Sequence, residues 1–298
     1  MAKPVYHIVV LKLICCFFLS GCLESLRTSD TLSNDFFAMD TATKDSTHQT
    51  ASEQMEILKE LGYDGLGYWR GSGGLETVLE ELDKHRLKAY PVYLYVSLDK
   101  DADPYDKNLK RTVELLKDRP GVTIWLPIYS KTYANSSPAG DNRAIEILLE
   151  LSDLCEKNNV KIALYPHYAS WLETTEDALR VVKKVNRSNV GLTFNLCHFL
   201  AVGGTDYKPL LKEAMPHLLA VTINGADTVG GTVDWKRLIQ PLGKGSYDTF
   251  EFVKTLHELN YKGPIGFQGY GVGGDVHQNL KQTIDTWNKY KQQINSHN

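Results

Sequence analysis

Cysteine is scarce in the part of the chain that could use it for a framework. Of five cysteines, Cys15, Cys16 and Cys22 fall at the start, and only Cys155 and Cys197 serve the rest. Two thiols in apolar surroundings exclude a disulfide scaffold and read as buried groups. Long apolar runs are missing too. The run from Leu13 to Leu19 falls far short of the roughly 20 residues needed to span a bilayer. Positive charge is not in surplus: 33 lysines and arginines face 36 acids, for a formal net charge of −3. Mild acidity argues against a nucleic-acid partner and against adhesion to an anionic membrane surface. Hydrophobic residues at 42% and charged residues at 23% exclude a disordered chain and a membrane bundle. A length of 298 residues suffices for one large α/β domain or two ordinary ones.

The first 22 residues, "MAKPVYHIVVLKLICCFFLSGC", differ in kind from the rest. Lys3 and Lys12 precede or flank a short apolar core, with no acid, which is the pattern of a secretory leader. The end of that segment, "LSGC", resembles the lipobox of bacterial lipoproteins. The resemblance implies a signal peptide over residues 1–21, acylation of Cys22, and a protein lipid-anchored in the bacterial cell envelope, at the periplasm or the cell surface. Residues 23–34, "LESLRTSDTLSN", are polar and read as a tether, so that 22–34 is a lipidated N-terminus and the domain occupies 35–298.

From there the chain alternates. Apolar runs rich in β-branched and aromatic residues occur at 35–40, 65–69, 88–96, 122–129, 161–167, 190–195, 218–224 and 264–270. Helical spacing follows each, at 51–62, 75–86, 106–118, 141–159, 173–185, 206–215, 247–260 and 275–294. Strict alternation means parallel strands joined by right-handed crossovers. Eight such units in this length predict a single (β/α)8 TIM barrel, with an open doubly wound sheet as the rival. The glycine clusters "GSGG" and "GYGVGG" read as loops on the barrel rim.

Barrel sites are built at the C-terminal ends of the strands. Those ends carry Asp40, Tyr68 and Trp69, Tyr93 and Tyr95, Tyr129, "YPH" (165–167), "NLCH" (195–198), "NGAD" (224–227) and "QGY" (268–270). Aromatic rings stack on the C–H faces of a sugar and amides pair with its hydroxyls. A small neutral carbohydrate is therefore the expected ligand, contacted by Trp69, Tyr95, Tyr165, Trp171, Asn195, Asn224, Lys244 and Gln268. His167 and His198 are the candidate acid and base. Asp227 could orient His198, bind a hydroxyl or cap the next turn. By strand alternation Cys197 is expected to point away from the site.

The stretches "IALYPHYASWLETTEDALRVV", "NVGLTFNLCHFL" and "PLGKGSYDTFEFVKTLHELNYKGPIGFQGY" resemble the xylose isomerase-like barrel superfamily of sugar phosphate isomerases and epimerases, over about residues 35–290. The resemblance implies a divalent metal held by a strand-five Glu, a strand-six Asp with a His three residues later, a strand-seven His and a strand-eight Glu. Carried over, the first falls at Tyr165, the Asp at Asn195, the following His at His198, the strand-seven His near Asn224 and the last Glu at Gln268. Amides keep the shape and lose the charge, so a manganese, zinc or magnesium ion on His167, His198, Asn195 and Gln268 is expected to be weakly bound or absent. The usual two-glutamate proton shuttle cannot operate.

Three functions fit these residues. The chain is an isomerase- or epimerase-like enzyme on an unphosphorylated sugar or keto-sugar, by proton transfer beside a carbonyl or elimination from a keto-glycoside; or a carbohydrate-binding lipoprotein with a degenerate metal site; or a structural part of an envelope assembly.

Overall fold

Strands rich in Val, Ile, Leu and aromatic residues bury both faces, and the arrangement that satisfies them is a closed parallel sheet with helices outside. The computed structural model describes Met1, residues 31–228 and residues 233–296. In chain order its elements are β1 (Phe36–Met39), α1 (Ala51–Leu61), β2 (Gly65–Tyr68), α2 (Leu75–His85), β3 (Lys88–Tyr93), β4 (Val96–Ser97), α3 (Leu109–Leu116), β5 (Thr123–Leu126) and β6 (Ile128–Tyr129). Then come α4 (Asp141–Glu156), β7 (Lys161–Leu164), α5 (Thr175–Val185), β8 (Val190–Asn195), α6 (Leu196–Ala201), α7 (Lys208–Ala214), β9 (Leu218–Ile223), α8 (Trp235–Leu238), α9 (Thr249–Glu258), β10 (Ile265–Phe267) and α10 (Val276–Ser296). Strands β1, β2, β3, β5, β7, β8, β9 and β10 close in that order into a parallel barrel. The fold is a single (β/α)8 TIM barrel. No described helix is long and apolar enough to cross a membrane.

Two of the expected strands are each split in two. The run at 122–129 breaks at Pro127, which has no N–H to give a neighbour. Its carbonyl still accepts from Val96 N at 3.0 Å. Beyond the break, β4 and β6 pair with each other as a separate two-stranded parallel ribbon above the barrel. The run at 190–195 ends as expected, but the chain turns at once into α6, so His198 and Cys197 lie in a first helical turn. Strand alternation therefore does not govern Cys197.

The expected leader and Cys22 lie outside the described residues, as does most of the expected tether. Its end is docked rather than free. Leu32 is buried, and its N–H donates to Asn295 Oδ1 at 2.7 Å. The Asn34 amide donates to the carbonyls of Tyr261 and Gly263 at 3.0 and 2.7 Å. Gly269, Gly271 and Gly274 have the spacing of a dinucleotide-binding loop. The strand before them, β10, pairs with β1 and β9 and closes the barrel, so the glycines serve as a rim loop.

Inside the barrel, Phe37 stacks on Tyr90 with centroids 4.7 Å apart, and Trp125 on Tyr165 at 5.2 Å. This plug needs a strand without a side chain beside it. A Cβ on Gly266 of β10 would lie 2.3 Å from Phe37 Cζ. Gly266→Ala should therefore cost about 1–3 kcal/mol by overpacking, read as a lower urea midpoint with unchanged m. A midpoint equal to wild type would show that Phe37 has room to move.

Candidate functional site

The aromatic plug is the floor of a cavity at the C-terminal end of the barrel. Tyr165 closes its top, fully buried, with its ring 5.0 Å from Tyr93 and 5.6 Å from His198. Burial raises its phenol pKa well above the usual range, so it stays neutral. Above it lies an inner compartment of about 410 Å³ lined by aromatic rings, His167, His198, Cys197, Gln268 and Ile239. No charged side chain is among the described residues that line it. Its mouth opens through Trp69, Tyr93, Tyr129 and Tyr270 into an outer compartment of about 740 Å³, where Asp40, Lys44, Arg70, Tyr95 and Asp106 join the lining.

His167 and His198 stand with ring centroids 4.2 Å apart. The backbone of one residue, Tyr168, contacts both through its two flanking peptide groups. The carbonyl of Tyr168 lies 2.8 Å from His167 Nδ1, and a carbonyl can only accept, so Nδ1 carries the proton. The N–H of Tyr168 points to His198 Nδ1 at 3.4 Å, and an amide can only donate, so that nitrogen is bare. In the neutral rings, His167 then has a lone pair on Nε2 and His198 has a proton on Nε2. Burial lowers the pKa of His167 below the usual imidazole range, partly offset by the hydrogen bond to Tyr168. His198 is lowered much further, by burial and then by the neighbouring His167. Both rings are neutral at neutral pH. The pair is one base and one hydrogen-bond donor, set by geometry.

Residues 55–290 match the family described as xylose isomerase-like TIM barrel. The chain belongs to that family. Among curated relatives, the inosose isomerase of Bacillus subtilis (strain 168) is 44% identical over 158 residues, which are 49% of this chain and 56% of that protein. The chain thus spans about half the length of the curated relatives it matches. Among solved structures, a D-allulose 3-epimerase from Methylomonas sp. in complex with D-allulose superposes with a TM-score of 0.69 at 16% identity, covering 87% of this chain and 98% of that one. The IOLI protein with a bound zinc atom gives a TM-score of 0.66 at 20% identity, covering 88% and 98%. At these identities the structural likeness is one of fold.

The ligand positions of the xylose isomerase-like pattern do not fit a divalent ion here. Asn195 spends its amide within the barrel: Nδ2 donates to Thr193 Oγ1 at 2.9 Å and to the Pro166 carbonyl at 3.2 Å, and Oδ1 accepts from Thr222 Oγ1 at 3.0 Å. It staples β7, β8 and β9 together and does not line the cavity. Asn224 turns into the loop after β9, where Nδ2 donates to the carbonyls of Gly225 and Leu238 at 2.8 and 2.7 Å. Gln268 does face the cavity, but its Oε1 already accepts from Thr41 Oγ1 at 3.0 Å and from Tyr270 N at 3.2 Å. Two neutral imidazoles remain, without an anionic donor to offset desolvation of a dication. Among the described residues, no group of three or more His, Cys, Asp or Glu side chains could hold a metal. Of the four residues expected to hold a metal weakly or not at all, His167, His198 and Gln268 line the inner compartment and Asn195 does not.

Three further expected contacts are displaced. Trp171 is fully buried in the core and donates from Nε1 to the Ser137 carbonyl at 2.9 Å. Lys244 is exposed in the loop after α8 and borders neither compartment. Asn224 is the third, as above. Asp227 pairs with Arg237 at 3.1 Å and accepts from Ser246 N, so it does not reach His198. Cys197 was expected to face outward and instead lines the inner compartment, its thiol pushed up to about 12 by burial. Trp69, Tyr95, Tyr165 and Gln268 do border the cavity.

Sequence reasoning passed over Trp235, whose ring lies 5.6 Å from His198. It opens a four-residue helix with no periodicity to mark it. It also gave no role to Tyr93, Tyr129 and Tyr270, although each sits at a strand end. Asp40 closes β1 and borders the outer compartment. Its carboxyl accepts from Gly71 N at 2.6 Å, and burial pushes its pKa up to about 6.

The buried imidazoles carry a pH signature. The unfolded chain protonates them at about 6.5, before the folded one does. Stability is therefore held above that value and lost as pH falls toward the lower folded values. The double variant His167→Gln/His198→Gln should lose less Tm than wild type between about pH 7 and pH 5.5. Parallel Tm profiles would mean that the rings are not held neutral.

Proposed function

We propose that the cavity binds the ring of an unphosphorylated keto-sugar and moves a proton at the carbon beside its carbonyl. The observation that carries this reading is the His167–His198 pair, whose tautomers the carbonyl and the N–H of Tyr168 set in opposite senses. His167 Nε2 takes the proton from the C–H. The C–H electron pair forms the enol double bond, and His198 Nε2–H supplies a hydrogen bond or proton to the carbonyl oxygen. Return of a proton from solvent to the other face, with His167 releasing the one it took, gives the epimer; return of the proton by His167 to the neighbouring carbon, while the hydroxyl proton of the enediol passes to the former carbonyl oxygen, gives the isomer. In a keto-glycoside with a leaving group at the β position, the same abstraction leads to elimination. The aromatic walls suit the C–H faces of a sugar ring. The absence of charged side chains among the described residues that line the inner compartment suits a neutral ligand. The activity named for the B. subtilis relative and the D-allulose held by the Methylomonas enzyme lie in the same substrate class.

The rival function is carbohydrate binding without chemistry. The loss of all three carboxylates of the ligand pattern, at Tyr165, Asn195 and Gln268, favours it. Exchange in D2O separates the two. With inosose, D-allulose and other keto-sugars as probes, deuterium should enter beside the carbonyl, and His167→Ala should slow this by about 10²-fold or more. Tight sugar binding without exchange would transfer the site to the binding function. Neither exchange nor binding with any probe would sink both.

We also propose that Cys22 is acylated and anchors the protein in the bacterial envelope, on the strength of the leader and of "LSGC". Cys22→Ser should move the protein from the membrane fraction to the soluble one. Retention in the membrane fraction would remove the anchor.

A further inference from the structure

The aromatic surface of this protein is unevenly spent. Apart from Met1, the large apolar side chains exposed among the described residues are Trp69 (44%), Tyr95 (43%), Tyr129 (36%) and Tyr270 (54%). All four border the outer compartment. Scattered exposed rings need no explanation, but a cluster at one mouth marks a contact surface. The catalytic pair does not account for it. The inner compartment, at about 410 Å³, already lies within the usual range for a small-molecule site. The outer one adds about 740 Å³ with a different lining.

The rim is also held in place without a ligand. Trp69 sits edge-on between Tyr93 and Tyr270, with centroids 6.1 and 6.0 Å away. The Asp40 carboxylate takes the N–H of Gly71 and fixes the loop that carries Trp69 and Arg70. Arg70 adopts a left-handed backbone, with φ of 73°, and its guanidinium pairs with Asp106. Asp106 is in turn fixed by the N–H of Asn108 at 2.9 Å. A rigid aromatic rim with a held guanidinium offers ring faces and hydroxyl partners at little ordering cost.

We infer that the outer compartment is a second-ring subsite and that the substrate is a glycoside, with its keto ring at His167 and His198 and its glycosidic bond crossing the Trp69–Tyr129 mouth. This rests on the keto-sugar reading above and names the substrate class of the same site. It requires no new bond chemistry, since the second ring contributes binding alone.

The test compares kcat/KM for 3-ketoglucose with that for the 3-keto forms of cellobiose and maltose, using the full chain and the D2O exchange readout. At least one disaccharide should exceed the monosaccharide by tenfold or more. Tyr95 borders only the outer compartment. In Tyr95→Ala the disaccharide-to-monosaccharide ratio should fall toward one, and Arg70→Gln should reduce it as well. Arg70→Gln guards against a folding defect in the first variant, and Tm is measured for both. A ratio near one in wild type would overturn the subsite while leaving the keto-sugar reading in place. So would a high ratio that survives both variants. Turnover of none of the three would remove both inferences together.

Discussion

The backbone of Tyr168 is the element on which the site depends. Its carbonyl acts on one ring and its N–H on the other, and reversing either contact would exchange donor and acceptor at the cavity wall. The two peptide groups are held by a compact turn. His167 N donates to the Leu172 carbonyl at 3.0 Å, Ser170 N to the His167 carbonyl at 3.0 Å, and Ser170 Oγ to the same carbonyl at 2.7 Å. Ala169 takes a left-handed backbone at φ 61°, and its N–H is met by Glu173 at 2.8 Å. Trp171 roots the turn in the core through Ser137. A tryptophan that touches no ligand surface thus fixes the orientation of two histidines that do.

The same economy appears where the xylose isomerase-like pattern places carboxylates. Asn195 keeps the shape of an aspartate, but its added N–H groups let it bind Thr193 and the Pro166 carbonyl. Thr222 completes the arrangement. A ligand position has become a staple across three strands. Gln268 stays at the wall, oriented by Thr41 and Tyr270, with its amide nitrogen 3.5 Å from the Tyr165 hydroxyl. A neutral network of this kind needs no counter-charge, which is why the cavity can be apolar and polar at once.

The barrel was legible because apolar runs rich in β-branched and aromatic residues alternate with stretches of helical spacing, and because parallel strands must be crossed by helices of adequate length. The division at Pro127 could have been read from its missing N–H, but the pairing of β4 with β6 is tertiary and leaves no local trace. At the site, strand ends marked His167, Tyr165, Trp69 and Gln268 as neighbours of one mouth. Asn195, Asn224 and Trp171 are polar or aromatic at the same latitude and point elsewhere. Which way an amide turns depends on partners such as Thr222 and Leu238, distant in sequence. Cys197 was misplaced for a different reason: the helix begins one residue after Asn195, and a strand's alternation stops where the strand does.

The neutrality of the inner compartment has a consequence for encounter. Among the described residues, neither lone charges nor a protonated imidazole face a ligand there at neutral pH. The inner compartment therefore adds nothing to long-range steering, and salt has nothing among its described residues to screen; the charges of Asp40, Lys44, Arg70 and Asp106 lie in the outer compartment. Capture is left to desolvation and ring stacking. These act over a few ångströms, persist at high salt, and penalise any sugar that brings a phosphate or carboxylate into a chamber with no cation to receive it.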